Sequence, residues 1–115
     1  MTSFTLSDEQ QSICANVKKL CAQFGDDYWL AKDKTAEFPH EFHRAFADGG
    51  WLGIAMPERY GGAGLGITEA ALMMHTVAAS GAAMSGASSI HMNIFGLNPV
   101  VVFGSEEQKD RKSVV

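Results

Sequence analysis

The chain has 115 residues, of which 46% are hydrophobic and 19% charged, a composition typical of one folded domain rather than of a disordered chain. Its net charge of −4 excludes a basic surface for nucleic acid or for an anionic membrane. No apolar run is long enough to span a bilayer. The first ten residues lack the positively charged and apolar regions of a secretory signal. We therefore expect a cytoplasmic domain with no nucleic-acid partner and no membrane partner.

The first predicted element is an amphipathic helix over residues 8–29. Ser7 and Gln10 have the spacing of a capping box, and apolar residues follow at helical intervals. Cys14 and Cys21 would lie about 10 Å apart along this helix, too far for a disulfide. We interpret both cysteines as small core residues. The charged residues from 26 to 34 predict a frayed helix end and a solvent-exposed linker.

A second helix is predicted to begin at Phe38-Pro39 and to end at Gly49-Gly50, with Phe42 and Phe46 facing inward. Residues 49–66 hold seven of the twelve glycines and predict one long loop. Its apolar anchors are Trp51, Leu52, Ile54 and Met56.

The remaining pattern predicts further helices. A third helix over residues 69–80, capped by Thr68, is apolar almost all round and is expected to lie in an interior. A fourth, over residues 83–96, is rich in small side chains. Pro99 begins a short apolar turn, and a second capping box at Ser105 and Gln108 begins a last helix. Since no strand pair is evident, the predicted fold is an all-α helical bundle whose last helix is cut short.

The run Gly61–Gly66 suggests a phosphate-binding loop, but it lacks the Lys-Ser/Thr of a Walker loop. It also lacks both the spacing and the preceding strand of a dinucleotide fingerprint. We therefore interpret it as a structural loop.

Four histidines suggest metal binding, but no carboxylate or cysteine joins them at a recognised ligand spacing, so no metal site is predicted. We interpret His40 and His43 as solvent-exposed and His75 as a helix-surface or interface residue. Ser88 and His91 share a helix face, yet neither a nucleophile elbow nor an orienting acid accompanies them, which argues against a catalytic triad. The small residues of this helix either permit close packing or leave room for a ligand.

Five stretches together resemble the N-terminal domain of the acyl-CoA dehydrogenase family, in order and in spacing. The most specific carries the letters PERYGGAGL, which resemble the signature segment of that family's N-terminal part. The stretches are Leu6–Gln10, Phe38-Pro39, Gly50–Ile54, Met56–Leu65, and Asn93–Pro99 with Gly104–Lys109.

The resemblance implies a three-part flavoenzyme, usually a dimer or tetramer, in which a β-domain and a second helical bundle follow this domain. FAD and an acyl-CoA thioester would lie between the parts, and a glutamate base would remove the α-proton while the β-hydride goes to the flavin. The chain contains neither later part, so we assign no catalytic residue and expect no FAD on this chain alone. By resemblance, Met84, Ala87, Ser88 and His91 would line the far end of the acyl pocket.

Two main interpretations remain at this point, beside a third, a metal-binding helical bundle, which would require tightly bound stoichiometric metal. The first is the N-terminal part of an FAD-dependent acyl-CoA dehydrogenase, inactive by itself. The second is a stand-alone helical interaction module descended from that domain. In either case the apolar helices over residues 69–80 and 83–96 predict self-association or partner binding.

Overall fold

The computed structural model describes residues 5–112, which form α-helices joined by short loops and two 3-10 turns. No strand occurs between residues 5 and 112, so the predicted all-α class is confirmed. The helices are α1 (Asp8–Cys21), α2 (Asp26–Thr35), α3 (His40–Asp48), α4 (Ile67–Ala79), α5 (Ala83–Ile94), α6 (Asn98–Phe103) and α7 (Glu106–Lys112). The 3-10 turns are Trp51–Gly53 and Glu58–Tyr60.

The first predicted helix is wrong as a single element, because residues 8–29 are divided between α1 and α2. Its beginning is confirmed: the Ser7 hydroxyl accepts from the Gln10 N–H at 3.1 Å, and the Gln10 side chain accepts from the Ser7 N–H at 3.0 Å. Gly25 is the N-cap of α2, and Asp26 and Asp27 lie in its first turn, where the helix dipole favours acids. The predicted linker is therefore helical.

The core lies where α1, α3, α4 and α5 meet. Edge-to-face aromatic contacts extend it onto α2: the rings of Trp29 and Phe42 lie 4.9 Å apart, and those of Phe24 and Phe42 lie 5.4 Å apart. The Trp29 indole N–H donates to the Phe24 carbonyl at 3.1 Å, so its one polar atom is satisfied inside the cluster. The largest fully buried side chains are Phe42, Phe46, Ile54, Met73, Ile90, Val17 and Val77.

Helix α4 packs between α1 and α5. It buries Ala70, Met73 and Val77, one residue per turn, while Ala78 and Ala79 are exposed. The predicted cap at Thr68 is wrong, because α4 begins two residues earlier, at Ile67, with Gly66 as its N-cap.

The domain is a slab of about two helix layers, 41 × 40 × 19 Å. Its radius of gyration of 14.9 Å exceeds the roughly 13 Å expected of a compact chain of this length. Its accessible surface of 7342 Å² exceeds by about a fifth the value typical of this mass. No helix among residues 5–112 is both long enough and apolar enough to cross a membrane.

Candidate functional site on α5

Helix α5 presents one side to solvent and the other to the core. Met84 and Met92 are 70% and 68% exposed, and Ser88 and His91 are exposed between them. Because these positions recur every three or four residues, they form one stripe, which we call the outward face of α5. Ala87 is only 5% exposed and lies on the packed side. The structure thus brings Met84, Ser88 and His91 together on the outward face and places Ala87 on the opposite, packed side, within the core.

A glycine sets how closely α5 approaches α3. Gly86 is buried, and a Cβ atom there would overlap the Ala82 Cβ and lie 3.3 Å from the Phe42 ring. The adjacent Ser89 is buried too, and its hydroxyl donates to the Gly86 carbonyl at 2.7 Å, which satisfies it within the helix. This close packing fixes the inner side of α5 and thereby the orientation of its outward face.

Ser88 and His91 form no catalytic arrangement in the described part of the chain. Neither side chain has a hydrogen-bond partner among residues 5–112, and the nearest ring to His91 is that of Phe95, at 5.8 Å. Within residues 5–112, no carboxylate orients the imidazole, as a triad would require.

His43 differs from its sequence interpretation. It is half-buried, and its Nε2 lies 3.1 Å from the Asn93 side-chain oxygen, which ties α3 to α5. The expectation of solvent exposure is therefore wrong for His43, whereas His40 and His75 are exposed. Over residues 5–112, no group of three or more histidine, cysteine, aspartate or glutamate side chains is placed to hold a metal ion.

Among the described residues, the glycine-rich segment Gly61–Gly66 is the candidate for binding the pyrophosphate of FAD. A pyrophosphate is held by free backbone N–H groups, so the question is whether those of this segment are free. Those groups are already used. The N–H groups of residues 61–65 donate to carbonyls within residues 53–58, and that of Gly66 donates to the Glu69 carboxylate at 3.1 Å. The segment therefore does not fit a pyrophosphate, and an anionic side chain already occupies the N-terminus of α4.

Glycine is required in this segment for the backbone itself. Gly61 has φ of 88°, and a Cβ atom on Gly62 would overlap the Met56 carbonyl oxygen. The interpretation as a structural loop is confirmed, and the loop buries Ile54, which is 1% exposed.

A polar clasp joins this loop to α7. The Tyr60 hydroxyl donates to the Glu106 carboxylate, and the Arg59 guanidinium lies 3.4 Å from the same carboxylate. This hydrogen bond lowers the pKa of Glu106 and, together with desolvation, raises the pKa of Tyr60. The predicted capping box at the start of α7 is confirmed by the reciprocal bonds between Ser105 and Gln108.

A second polar cluster holds α2 against α3. The Tyr28 hydroxyl donates to Glu41 at 3.1 Å and accepts from the Phe42 N–H at 3.3 Å. Lys32 pairs with Glu41 at 3.0 Å, and this contact raises the pKa of Lys32 and lowers that of Glu41. All members of the cluster have partners within it, which indicates a structural role.

Comparison with known proteins agrees with the fold. Residues 7–112 match the family described as "Acyl-CoA dehydrogenase, N-terminal domain". The chain is 34% identical over 112 residues to Acyl-CoA dehydrogenase FadE12 of Mycobacterium tuberculosis, a match that covers 96% of this chain and 28% of that protein. It is 39% identical over 77 residues to an Acyl-CoA dehydrogenase of Bacillus subtilis, which covers 67% of this chain and 20% of that protein.

The chain is also 32% identical over 108 residues to a mitochondrial Isovaleryl-CoA dehydrogenase of Pongo abelii, covering 92% of this chain and 25% of that protein. It thus spans about a quarter of the length of these relatives. No solved structure matches the chain. Since the family match covers nearly all described residues and agrees with the all-α fold, the chain belongs to the acyl-CoA dehydrogenase family, as its N-terminal domain.

Proposed function

We propose that this domain serves an FAD-dependent acyl-CoA dehydrogenase, which oxidises an acyl-CoA thioester between its α and β carbons, and that the outward face of α5 lines the far end of the acyl pocket. The observation that carries this is the exposure of Met84 and Met92 on a helix whose other side is closely packed. Two thioether side chains two turns apart offer a flexible apolar surface suited to an acyl group.

The polar members of this face narrow the substrate class. Ser88 and His91 stand between the methionines without hydrogen-bond partners among residues 5–112. Since an unbranched long alkyl tail would leave both groups unsatisfied on burial, we favour an acyl group that is short or carries a polar end.

The domain's own contribution is positioning rather than chemistry. The oxidation requires a base for the α-proton and an acceptor for the β-hydride, and we assign neither to this chain. Its residues pack α5 closely against α3 through Gly86 and Phe42, so the pocket wall is positioned before the acyl group binds.

We place this activity in acyl-CoA metabolism in the cytoplasm, in agreement with the free thiols of Cys14 and Cys21. The stand-alone interaction module is the less favoured function, because the family match extends over residues 7–112 and the relatives named above are dehydrogenases.

A chimera tests the proposed function. Residues 7–112 would replace the matching segment of the Mycobacterium tuberculosis relative, and dye reduction would be measured with a series of acyl-CoA substrates. We expect an active flavoprotein in which His91→Leu shifts the preference towards longer, purely apolar acyl groups.

The matched control is His40→Leu, which replaces an exposed histidine on α3, away from the outward face of α5. It should leave the substrate profile unchanged. A folded, flavin-loaded chimera that oxidises no acyl-CoA, or an identical profile for both variants, would contradict the assignment.

A further inference from the structure

A groove between α1 and α4 is separate from the outward face of α5. Its volume is about 390 Å³, within the range of small-molecule sites, and no residue of α5 lines it. Its lining is mostly apolar and comes from Cys14, Ala15, Lys18, His75, Thr76, Ala79 and Ser80.

The hydroxyl groups of the groove are already committed to the backbone. Thr76 donates to the Leu72 carbonyl at 2.8 Å, and Ser80 donates to the Val77 carbonyl at 2.6 Å. These residues therefore present methyl and methylene surface and no free O–H donor, which suits an apolar ligand.

The remaining polar groups of the groove are basic. Lys18 and His75 have no ion-pair or hydrogen-bond partner within residues 5–112, and no acidic side chain lines the groove. In a chain of net charge −4, an apolar groove with an unpaired ammonium and imidazole has the charge pattern that complements an anion.

We propose that this groove binds a small carboxylate with an apolar body, such as a free medium-chain or aryl-substituted acid. The Lys18 ammonium and the His75 imidazole face the carboxylate, and the methyl groups of Ala15, Ala79 and Thr76 face the body. This site does not depend on the proposed dehydrogenase function, since it uses α1 and α4 alone.

Cys14 provides a reporter inside the groove. It is a half-buried free thiol, whereas Cys21 is 5% exposed and burial raises its pKa, which makes it the less reactive of the two. A ligand in the groove should therefore slow alkylation of Cys14.

Octanoate is the probe for the test, with uncharged octanamide as its matched ligand control. In titrations of the full 115-residue chain followed by amide NMR, we expect saturable shifts in residues 14–18 and 75–80, and protection of Cys14 from iodoacetamide. Octanamide should bind about fivefold more weakly, as loss of one exposed charge pair implies.

Two pairs of variants locate the site. Lys18→Gln should raise the Kd for octanoate about fivefold, while Lys19→Gln, on the same helix but outside the groove, should not. Ala79→Leu should abolish binding by filling the groove, whereas the exposed neighbour Ala78→Leu should not.

Absence of saturable shifts in the groove would overturn the inference. Equal affinity for octanamide, or unchanged binding by the Ala79→Leu variant, would do the same.

Discussion

The two sides of α5 differ in how closely they are packed against the rest of the domain. On the inner side, the fully buried Ile90 and the close contact between Gly86 and Phe42 join α5 to the core. On the other side, Met84 is 70% exposed, and α6, which follows α5, leaves Phe103 86% exposed. Helix α7 is attached to the glycine-rich loop by the Tyr60–Glu106 clasp.

This difference separates the side chains that the domain needs to fold from those that it leaves exposed at its surface. The inner side contains the buried apolar area that stabilises the domain, while the outer side leaves large apolar side chains uncovered. The slab shape also leaves apolar side chains uncovered, because a body two helix layers thick buries less of its apolar surface than a sphere of the same volume does. Changes on the two sides should therefore have different effects.

The largest effect is expected from Phe42→Ala. Phe42 is fully buried and contacts the rings of Phe24, Trp29 and Phe46, so its truncation leaves a cavity at the centre of the core. The free energy of unfolding should fall by about 3–5 kcal/mol in urea denaturation. The control is Phe38→Ala, which removes a 44% exposed ring and should cost far less; equal losses would contradict the placement of the core.

Gly86→Ala comes next. The added Cβ would overlap Ala82 and press on Phe42, while the helix-propensity gain over glycine offsets only about 1 kcal/mol. We expect a net loss of about 1–2 kcal/mol in thermal or urea unfolding. Ser85→Ala, at an exposed position one residue earlier, is the control. A more stable Gly86→Ala variant would show that α5 and α3 are not in close contact.

On the outer side, Met84→Lys combined with Met92→Lys should change association rather than stability. We expect the unaltered chain to self-associate at micromolar concentration in sedimentation equilibrium, since its apolar side chains are uncovered. The double variant should sediment closer to a monomer and unfold within about 0.5 kcal/mol of the unaltered chain. A clean monomer of the unaltered chain that binds no hydrophobic dye would refute this expectation.

The clasp of α7 should respond to pH without changing global stability greatly. Since the folded-state pKa of Glu106 lies below its usual value of about 4.3, its contribution is present above that pH and is lost as the pH falls through the folded pKa. The pKa of Tyr60 is raised instead of lowered, so the dependence on pH is reversed. The contribution of Tyr60 to stability is lost only as the pH rises through a value above about 10.

Amide hydrogen exchange in α7, corrected for its intrinsic pH dependence, measures this effect. In the unaltered chain, protection should be lost as the pH falls through the lowered pKa of Glu106, whereas it should be low at all pH values in Tyr60→Phe. Identical profiles in the two proteins would show that the clasp does not hold α7.

Added FAD should have no measurable effect on the purified chain. Because the N–H groups of Gly61–Gly66 are already bonded, the purified chain should be colourless and its melting temperature should not rise with FAD. Stoichiometric flavin retained through gel filtration would contradict this.

Local signals in the sequence predicted much of the fold. The capping boxes at Ser7 and Ser105 act over three residues and are therefore visible in the sequence. The apolar spacing continues across the break after α1 and therefore does not reveal it, although Gly25 followed by two aspartates is a typical helix start. The cap of α4 was misplaced, because the Glu69 carboxylate, rather than the hydroxyl of Thr68, satisfies the helix end.

Contacts between distant residues could not be predicted in this way. The His43–Asn93 hydrogen bond joins positions 50 apart, and the Tyr60–Glu106 clasp joins positions 46 apart. For the candidate site, helical spacing places Ser88 and His91 on one face. Only the packing of α5 on α3 and α4 shows that this face is the exposed one and that Ala87 is buried.

The most direct test of the account is to locate the acyl tail. In the chimera described above, an acyl-CoA that carries a photoreactive diazirine at its far end would be cross-linked and the labelled peptides identified by mass spectrometry. We expect labels on Met84, Ser88, His91 or Met92, and we expect unmodified acyl-CoA to compete with the labelling. Labels confined to other helices of this domain, such as α1 or α2, would show that the outward face of α5 does not line the acyl pocket.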